Sequence, residues 1–337
     1  MRIGYAIKSS KNQLYNQRRR FPFYAKKLNL KYEIANFNQT YDYVIINASS
    51  DLTIWLNYNK GKLIFEYLNS SLDEKLSLKV FFRGLAKFIF RKNKILFLNQ
   101  KKLIRNICKK SYAVVCNSFE QYLTLKKLNK NIYIILDSHY DIPYLRSEIN
   151  NDKKINLIWE GQAENLGGFI KFSEIIKNSN LRNKVKIYFI TDLFFYKFMK
   201  SLIKVNTHKY LTKILKDIEF EIHEWTIENL IKYSKISHAA IIPFLNKNMD
   251  IFKSENKLHI FWKLGLPVIS SMNYSYEREM NKFKIDLIAK KDFDWIKLIS
   301  SLSNYQVLSM YKSKIPSSKY FDELEKDKIE NWKKILI

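Results

Sequence analysis

Short apolar runs alternate with longer amphipathic or charged stretches along nearly the whole chain, a pattern that predicts β-α-β units around parallel sheets. In the first half RIGYAI, YEIANF, YDYVIINA, KLIFEYL, YAVVC and IYIILD read as strands. In the second half INLIWEG, VKIYFIT, IEFEIHE, HAAIIPF and LPVISS continue the series. The two series separate near residue 150 and imply an α/β protein of two doubly wound, Rossmann-like domains. The polar segment DSHYDIPYLRSEINNDKK, residues 137–154, carries Pro143 and precedes a fresh strand. The expected division is therefore a first domain over 1–150, a second over 151–318, and a terminal helix over 319–337. That helix has Phe321, Leu324, Ile329, Trp332 and Ile335 at roughly helical spacing, one face for packing. Open parallel sheets bind ligands beyond the carboxyl ends of their strands, which predicts a cleft between the domains.

Composition supports this organisation: 337 residues, 47% of them hydrophobic and 15% aromatic, suffice for two cores. Charge adds a second theme. Lys and Arg number 59 against 32 Asp and Glu, and the net +27 is spread along the chain. A diffuse positive field favours nucleic acid, acidic lipid or phosphorylated substrates, and the same excess also reads as background usage that serves solubility. Cys108 and Cys116 are the only cysteines, and Cys116 sits in the apolar run YAVVC. A disulfide scaffold is excluded and a reducing compartment expected. The five histidines are scattered, and HEW at 223–225 lacks the second histidine of a zinc-protease pattern, so no metal site is expected. The start MRIGYAIKSSKNQ has too short an apolar core for a signal peptide, and no run approaches about 18 apolar residues. A cytoplasmic protein, peripheral at most on a membrane, is expected.

With seven glycines and five prolines in all, the positions of these residues are informative. Gly161, Gly167, Gly168, Gly265, Pro243 and Pro267 fall in the second half, at strand ends or just before strands. INLIWEGQAENLGGFIKFSEII runs from strand through Gly161 and Gln162 to a glycine pair and a helix, without the G-x-G-x-x-G spacing of dinucleotide sites. In SENKLHIFWKLGLPVISS, Ser254 suits an N-cap and Glu255 a first turn. Leu258, Phe261 and Trp262 form a core face, and Gly265 the left-handed C′ position. Lys257 in the opening turn opposes the helix dipole by roughly a few tenths of a kcal/mol. Two readings stay open: an anion bound at the helix start, reinforced by Lys257, or a solvated lysine offset by Glu255.

The run HAAIIPF, the loop to Asp250 and SENKLHIFWKLGLPVISS together resemble the donor side of nucleotide-sugar glycosyltransferases of the GT-B type. The resemblance covers about residues 155–275, and members often close with a helix that crosses back to the first domain. It implies metal-independent transfer of a sugar from a nucleotide-sugar, the donor substrate, to an acceptor, with no further cofactor. Pro243 and Phe244 would line the nucleotide side. Ser254, Asn256 and Lys257 would contact the diphosphate, and Gly161 would mark the first loop facing the donor, beside Gln162. Many retaining members carry a glutamate five residues before the glycine, where this chain has Ile260, and often an arginine where it reads WEGQ. Glu160 or Glu255 then stand as carboxylates without an assigned role, and retention or inversion stays open.

An inverting mechanism needs a base. Asp51, in NASSDLT after a strand, is one candidate and equally a helix cap; His139 is a second and equally a loop histidine. Residues 79–105 combine an apolar helical face of Phe81, Leu85, Phe88 and Ile89 with Arg83, Lys87, Arg91, Lys92 and Lys94. NQRRRFPFYAKKL repeats the mix. This fits an anionic membrane surface and a lipid-linked or saccharide acceptor in cell-surface glycan synthesis, or else a core-packing helix with a charged outer face. Two rival functions are a basic nucleic-acid-binding protein and a GT-B protein that binds glycans without transfer. With no zinc-finger spacing, a nucleic-acid partner is not expected.

Overall fold

The computed structural model describes residues 1–7, 19–68, 72, 78–91, 93–146, 154–197, 203–245 and 250–337, with residues 78–81 as backbone only. The chain divides into two compact units. Met1–Tyr140, Phe252–Ser254 and Asp322–Ile337 form the first, and Asp141–Ile251 with Glu255–Phe321 the second.

The first unit contains β1 (Ile3–Ala6), α1 (Phe21–Lys27), β2 (Glu33–Ile34), β3 (Tyr43–Asn47), α2 (Leu52–Trp55) and β4 (Lys62–Tyr67). Then follow α3 (Leu78–Ile89), α4 (Gln100–Lys110), β5 (Ala113–Cys116), α5 (Phe119–Leu125) and β6 (Ile132–Ile134). Its strands form one sheet in the order β2-β1-β3-β4-β5-β6. Every pairing is parallel, as in Ile45 opposite Ile64 and Phe65 opposite Val114. Val44, Ile45, Ile46, Val114 and Val115 are at most 1% exposed, because a parallel sheet is covered on both faces. Cys108 and Cys116 are both buried and unbridged, and burial pushes the Cys108 thiol up to about 12, that of a core residue.

The second unit contains β7 (Ile155–Glu160), a 3-10 turn over Ala163–Gly168, α6 (Phe169–Lys177), β8 (Val185–Thr191), β9 (Phe194–Lys197) and β10 (Ile203–Asn206). It continues with α7 (Thr207–Leu215), β11 (Glu219–Glu224), α8 (Ile227–Lys235), β12 (Ala239–Ile242) and a 3-10 turn over Asp250–Phe252. After these come α9 (Asn256–Lys263), β13 (Val268–Ser271), α10 (Tyr274–Lys282), β14 (Ile288–Ala289), α11 (Asp292–Ser301), α12 (Tyr305–Ser313) and α13 (Ser318–Leu336). The second parallel sheet runs β11-β8-β7-β12-β13-β14. Every apolar run read as a strand is one; the hairpin β9-β10 and the two-residue β14 were not legible in the pattern.

Helix α13 begins in the second unit, and from Asp322 its residues belong to the first. Trp332, Ile335 and Leu336 enter the same core cluster as Phe21 and Tyr24, with Trp332 and Phe21 ring centroids 5.1 Å apart. Lys328 Nζ donates to the Asp137 carbonyl at 2.9 Å. The return of the terminal helix to the first domain, expected from the resemblance, is thus present.

Candidate functional site

The two ends of α9 have separate explanations. At its carboxyl end Gly265 has φ 72, its N–H donates to Trp262 O at 3.0 Å, and the Leu266 N–H to Phe261 O at 2.9 Å. This is the left-handed closure that the glycine predicts. At its amino end the expectation needs correcting: the N-cap position is Glu255, one residue beyond Ser254, and Glu255 makes no side-chain cap. Its carboxylate instead turns inward, only 4% exposed, and meets Arg278 Nη2 at 2.8 Å. Burial raises the Glu255 carboxyl above its ordinary value, against the pull of Arg278.

Lys257, in the first turn of α9, reaches the carboxyl end of β7. Its Nζ donates to the Glu160 carbonyl at 2.5 Å, lies 3.9 Å from Glu160 Oε1 and stands 4.5 Å over the Trp159 ring. Gly161 makes this approach feasible. It has φ 141, and a Cβ there would overlap the Lys257 ammonium. Gly161 is anchored by its N–H to Ile190 O at 3.1 Å, and its carbonyl accepts from Thr191 Oγ1 at 2.6 Å. Glu160 is 5% exposed and its Oε2 accepts from Trp225 Nε1 at 2.9 Å. Glu160, Thr191 and Trp225 thus mark the carboxyl ends of three adjacent strands, β7, β8 and β11. Gln162 is exposed at the start of the 3-10 turn.

Pro243 and Phe244 follow β12. The Phe244 N–H donates to Ser271 Oγ at 3.0 Å, and its ring lies 5.7 Å from that of Tyr276. Both residues line a pocket of about 200 Å³ at the carboxyl ends of β12, β13 and β14, together with Trp295, Lys171, Lys290 and Lys291. Lys257 and Gly161 do not line it. Sequence reasoning treated these residues as one donor site; the second unit distributes them over two places at the same edge of its sheet.

Beneath α9 lies a charged network that the sequence did not reveal. His259 Nε2 is 3.3 Å from Glu279 Oε1; Lys282 Nζ is 2.6 Å from Glu279 Oε2, and Tyr320 Oη also donates to this carboxylate. Burial alone would raise the Glu279 carboxyl, but His259, Lys282 and Tyr320 hold it at about 2. Ile260, where the resemblance would lead one to expect a glutamate, is 1% exposed in the core.

Asp51 and His139 belong to the first unit. Asp51 is the cap of α2: Oδ1 accepts from the Thr53 N–H at 3.1 Å and Thr53 Oγ1 at 2.6 Å, and Oδ2 from the Lys94 N–H at 2.7 Å. Of the two readings the sequence allowed for this residue, the geometry is that of the cap. His139 lies in the loop after β6, as one of its two readings had it, and is buried there at 4% exposure. The loop residues 246–249, the Lys92 side chain and the Phe81 side chain lie outside the described residues.

The sequence matches no protein-family model and no curated protein. Solved structures of similar fold do exist. HepE from Anabaena in complex with UDP and glucose superposes with TM-score 0.60 at 9% identity, covering 99% of both chains. WaaG, a glycosyltransferase involved in lipopolysaccharide biosynthesis, gives 0.56 at 9% identity over 95% of this chain and 94% of WaaG. TarM gives 0.56 at 12% identity over 93% of this chain, which spans 57% of the length of TarM. The chain has the GT-B fold: two α/β units, each with a six-stranded parallel sheet, and a C-terminal helix that ends in the first.

Proposed function

We propose that the protein is a glycosyltransferase that moves a sugar from a nucleotide-sugar to a saccharide or lipid-linked acceptor, in the synthesis of a cell-surface glycan. The observation that carries this reading is the placement of Lys257 at the start of α9, against the carboxyl end of β7, with Gly161 leaving room for its ammonium. The GT-B fold supports it, as does the complex of HepE with UDP and glucose.

Departure of a nucleoside diphosphate builds negative charge on the leaving oxygens. Lys257 and the backbone N–H groups that open α9 supply positive potential to one spot, so their stabilisation grows as the bond breaks. Nothing in this step calls on a metal ion. Donor binding falls to the second unit and acceptor binding to the first. A cytoplasmic protein, peripheral on the inner face of the membrane, fits a lipid-linked acceptor.

The reading is tested by thermal shift with uridine, guanosine, cytidine, adenosine and thymidine diphosphates and their sugars. A ligand at 100 times its dissociation constant stabilises by about 2.7 kcal/mol. Lys257→Ala is expected to remove that shift and sugar transfer while its unliganded melting stays near wild type. Silence across the panel, or wild-type transfer by Lys257→Ala, refutes the site.

A further inference from the structure

Helix α3 presents apolar residues on the side away from its own unit. Gly84 is pressed against the following segment, where a Cβ would overlap the carbonyl oxygens of Phe97 and Leu98. That contact identifies the inward side. With about 3.6 residues per turn, Phe82, Ala86 and Ile89 emerge on the opposite side. Phe82 is 60% exposed and Ile89 63%. The chain that follows leaves Phe90, Ile95 and Leu96 exposed as well. A helix on a soluble surface places polar residues there, and a cluster of exposed large apolar side chains marks a binding surface.

Charge identifies what covers it. Between Lys75 and Phe119 the chain carries twelve Lys or Arg and no Asp or Glu. Arg83 flanks the apolar stripe, Arg91 closes the helix in a left-handed turn at φ 52, and Lys94 follows, whereas Lys87 lies on the inward side and donates to Gln100 Oε1 at 2.9 Å. A second copy of the chain would bring this same positive surface against itself, which like-charge repulsion opposes. An anionic lipid surface satisfies both features, taking the apolar side chains into the acyl boundary and the cations at the headgroups. The segment after the helix is pinned for the purpose: the Lys94 N–H donates to Asp51 Oδ2 at 2.7 Å and the Ile95 N–H to Thr53 Oγ1 at 3.3 Å. No described helix is long and apolar enough to cross a membrane, so the contact lies in the plane of the surface.

We propose that α3, together with the exposed Phe90, Ile95 and Leu96 that follow it, docks the protein on an anionic bilayer. This deepens the proposed function by naming the face that meets the membrane, and rests on that function only for the lipid anchor of the acceptor. The test is flotation of the whole protein with vesicles of phosphatidylcholine alone and with phosphatidylglycerol added, at moderate salt. Wild type is expected to bind the anionic vesicles at least about tenfold more strongly, and Phe82→Ser/Ile89→Asp to lose at least about tenfold of that binding. The variant keeps its far-ultraviolet circular dichroism and its nucleotide-induced thermal shift. Equal binding to both vesicles, or undiminished binding by the folded variant, overturns the proposal. So does a dimer seen by light scattering that Ile89→Asp dissolves, since the face then belongs to a second copy. Vesicle binding by a wild-type protein that ignores every nucleotide upholds the surface and refutes only the donor reading.

Discussion

Helix α9 keeps Leu258, Ile260, Phe261 and Trp262 within 1% exposure, whereas α3 leaves Phe82 and Ile89 about two-thirds open to solvent. Both are amphipathic, both carry lysine, and both meet a glycine that allows close backbone geometry. They differ in where that glycine sits. Gly265 ends α9 and lets its apolar face turn onto the sheet. Gly84 lies within α3 and lets the small side of the helix approach its own unit, which sends the bulky side outward. Periodicity therefore identifies the apolar face of a helix, and the partner of that face is a separate matter.

The largest effect that can break this comparison is a loss of core. Trp262→Ala in α9 is expected to destabilise by about 3–5 kcal/mol, while Ile89→Ser in α3 stays within about 0.5 kcal/mol. Chemical denaturation of the two variants measures both; similar losses would mean that the outer face of α3 is packed after all.

Next comes the anchoring of α9 by charge. Glu279 titrates near 2 in the folded protein against an ordinary 4.5, so its contribution is complete above pH 4.5 and is lost as the pH falls toward 2. Glu279→Gln should cost about 2–3 kcal/mol at neutral pH and flatten the stability profile in that window. Acid should therefore weaken the anchoring of α9. A Glu279→Gln protein with an unchanged acid profile would contradict the network.

Gly161→Ala tests the site end of α9. Strain at φ 141 is expected to cost of order 1–3 kcal/mol. Displacement of Lys257 should also remove the nucleotide-induced thermal shift. Smallest is Gly265→Ala, at about 1 kcal/mol for a left-handed residue that gains a Cβ, with nucleotide response retained. If Gly265→Ala abolishes that response while Gly161→Ala spares it, the assignment of scaffold and chemistry along α9 is reversed.

Much of the fold was legible because parallel strands buried on both faces read as unbroken apolar runs, as in INLIWE and AAII. The β9-β10 hairpin was not: FFYK and IKVN mix aromatic and lysine residues without an apolar run, and β14 is too short to show one. Of the candidate site, Gly161 and Lys257 were visible as a rare glycine and a misplaced cation. Trp225 was missed, although its position directly after a strand is the signal that the carboxyl-end rule provides. Arg278, Glu279 and Tyr320 gave no local signal, since nothing in RE or KYF says which helix each will meet.

Read alone, the chain establishes its two sheets, its glycine-closed helix and its excess of cations, because strand burial, backbone conformation and charge are properties of neighbouring residues. The folded molecule decides that Lys257 meets Glu160, that Glu255 turns to Arg278, and that Phe82 and Ile89 stay outside. Those outcomes depend on contacts between residues up to about a hundred positions apart, and a long-range contact forms only where the packing of whole elements leaves room for it.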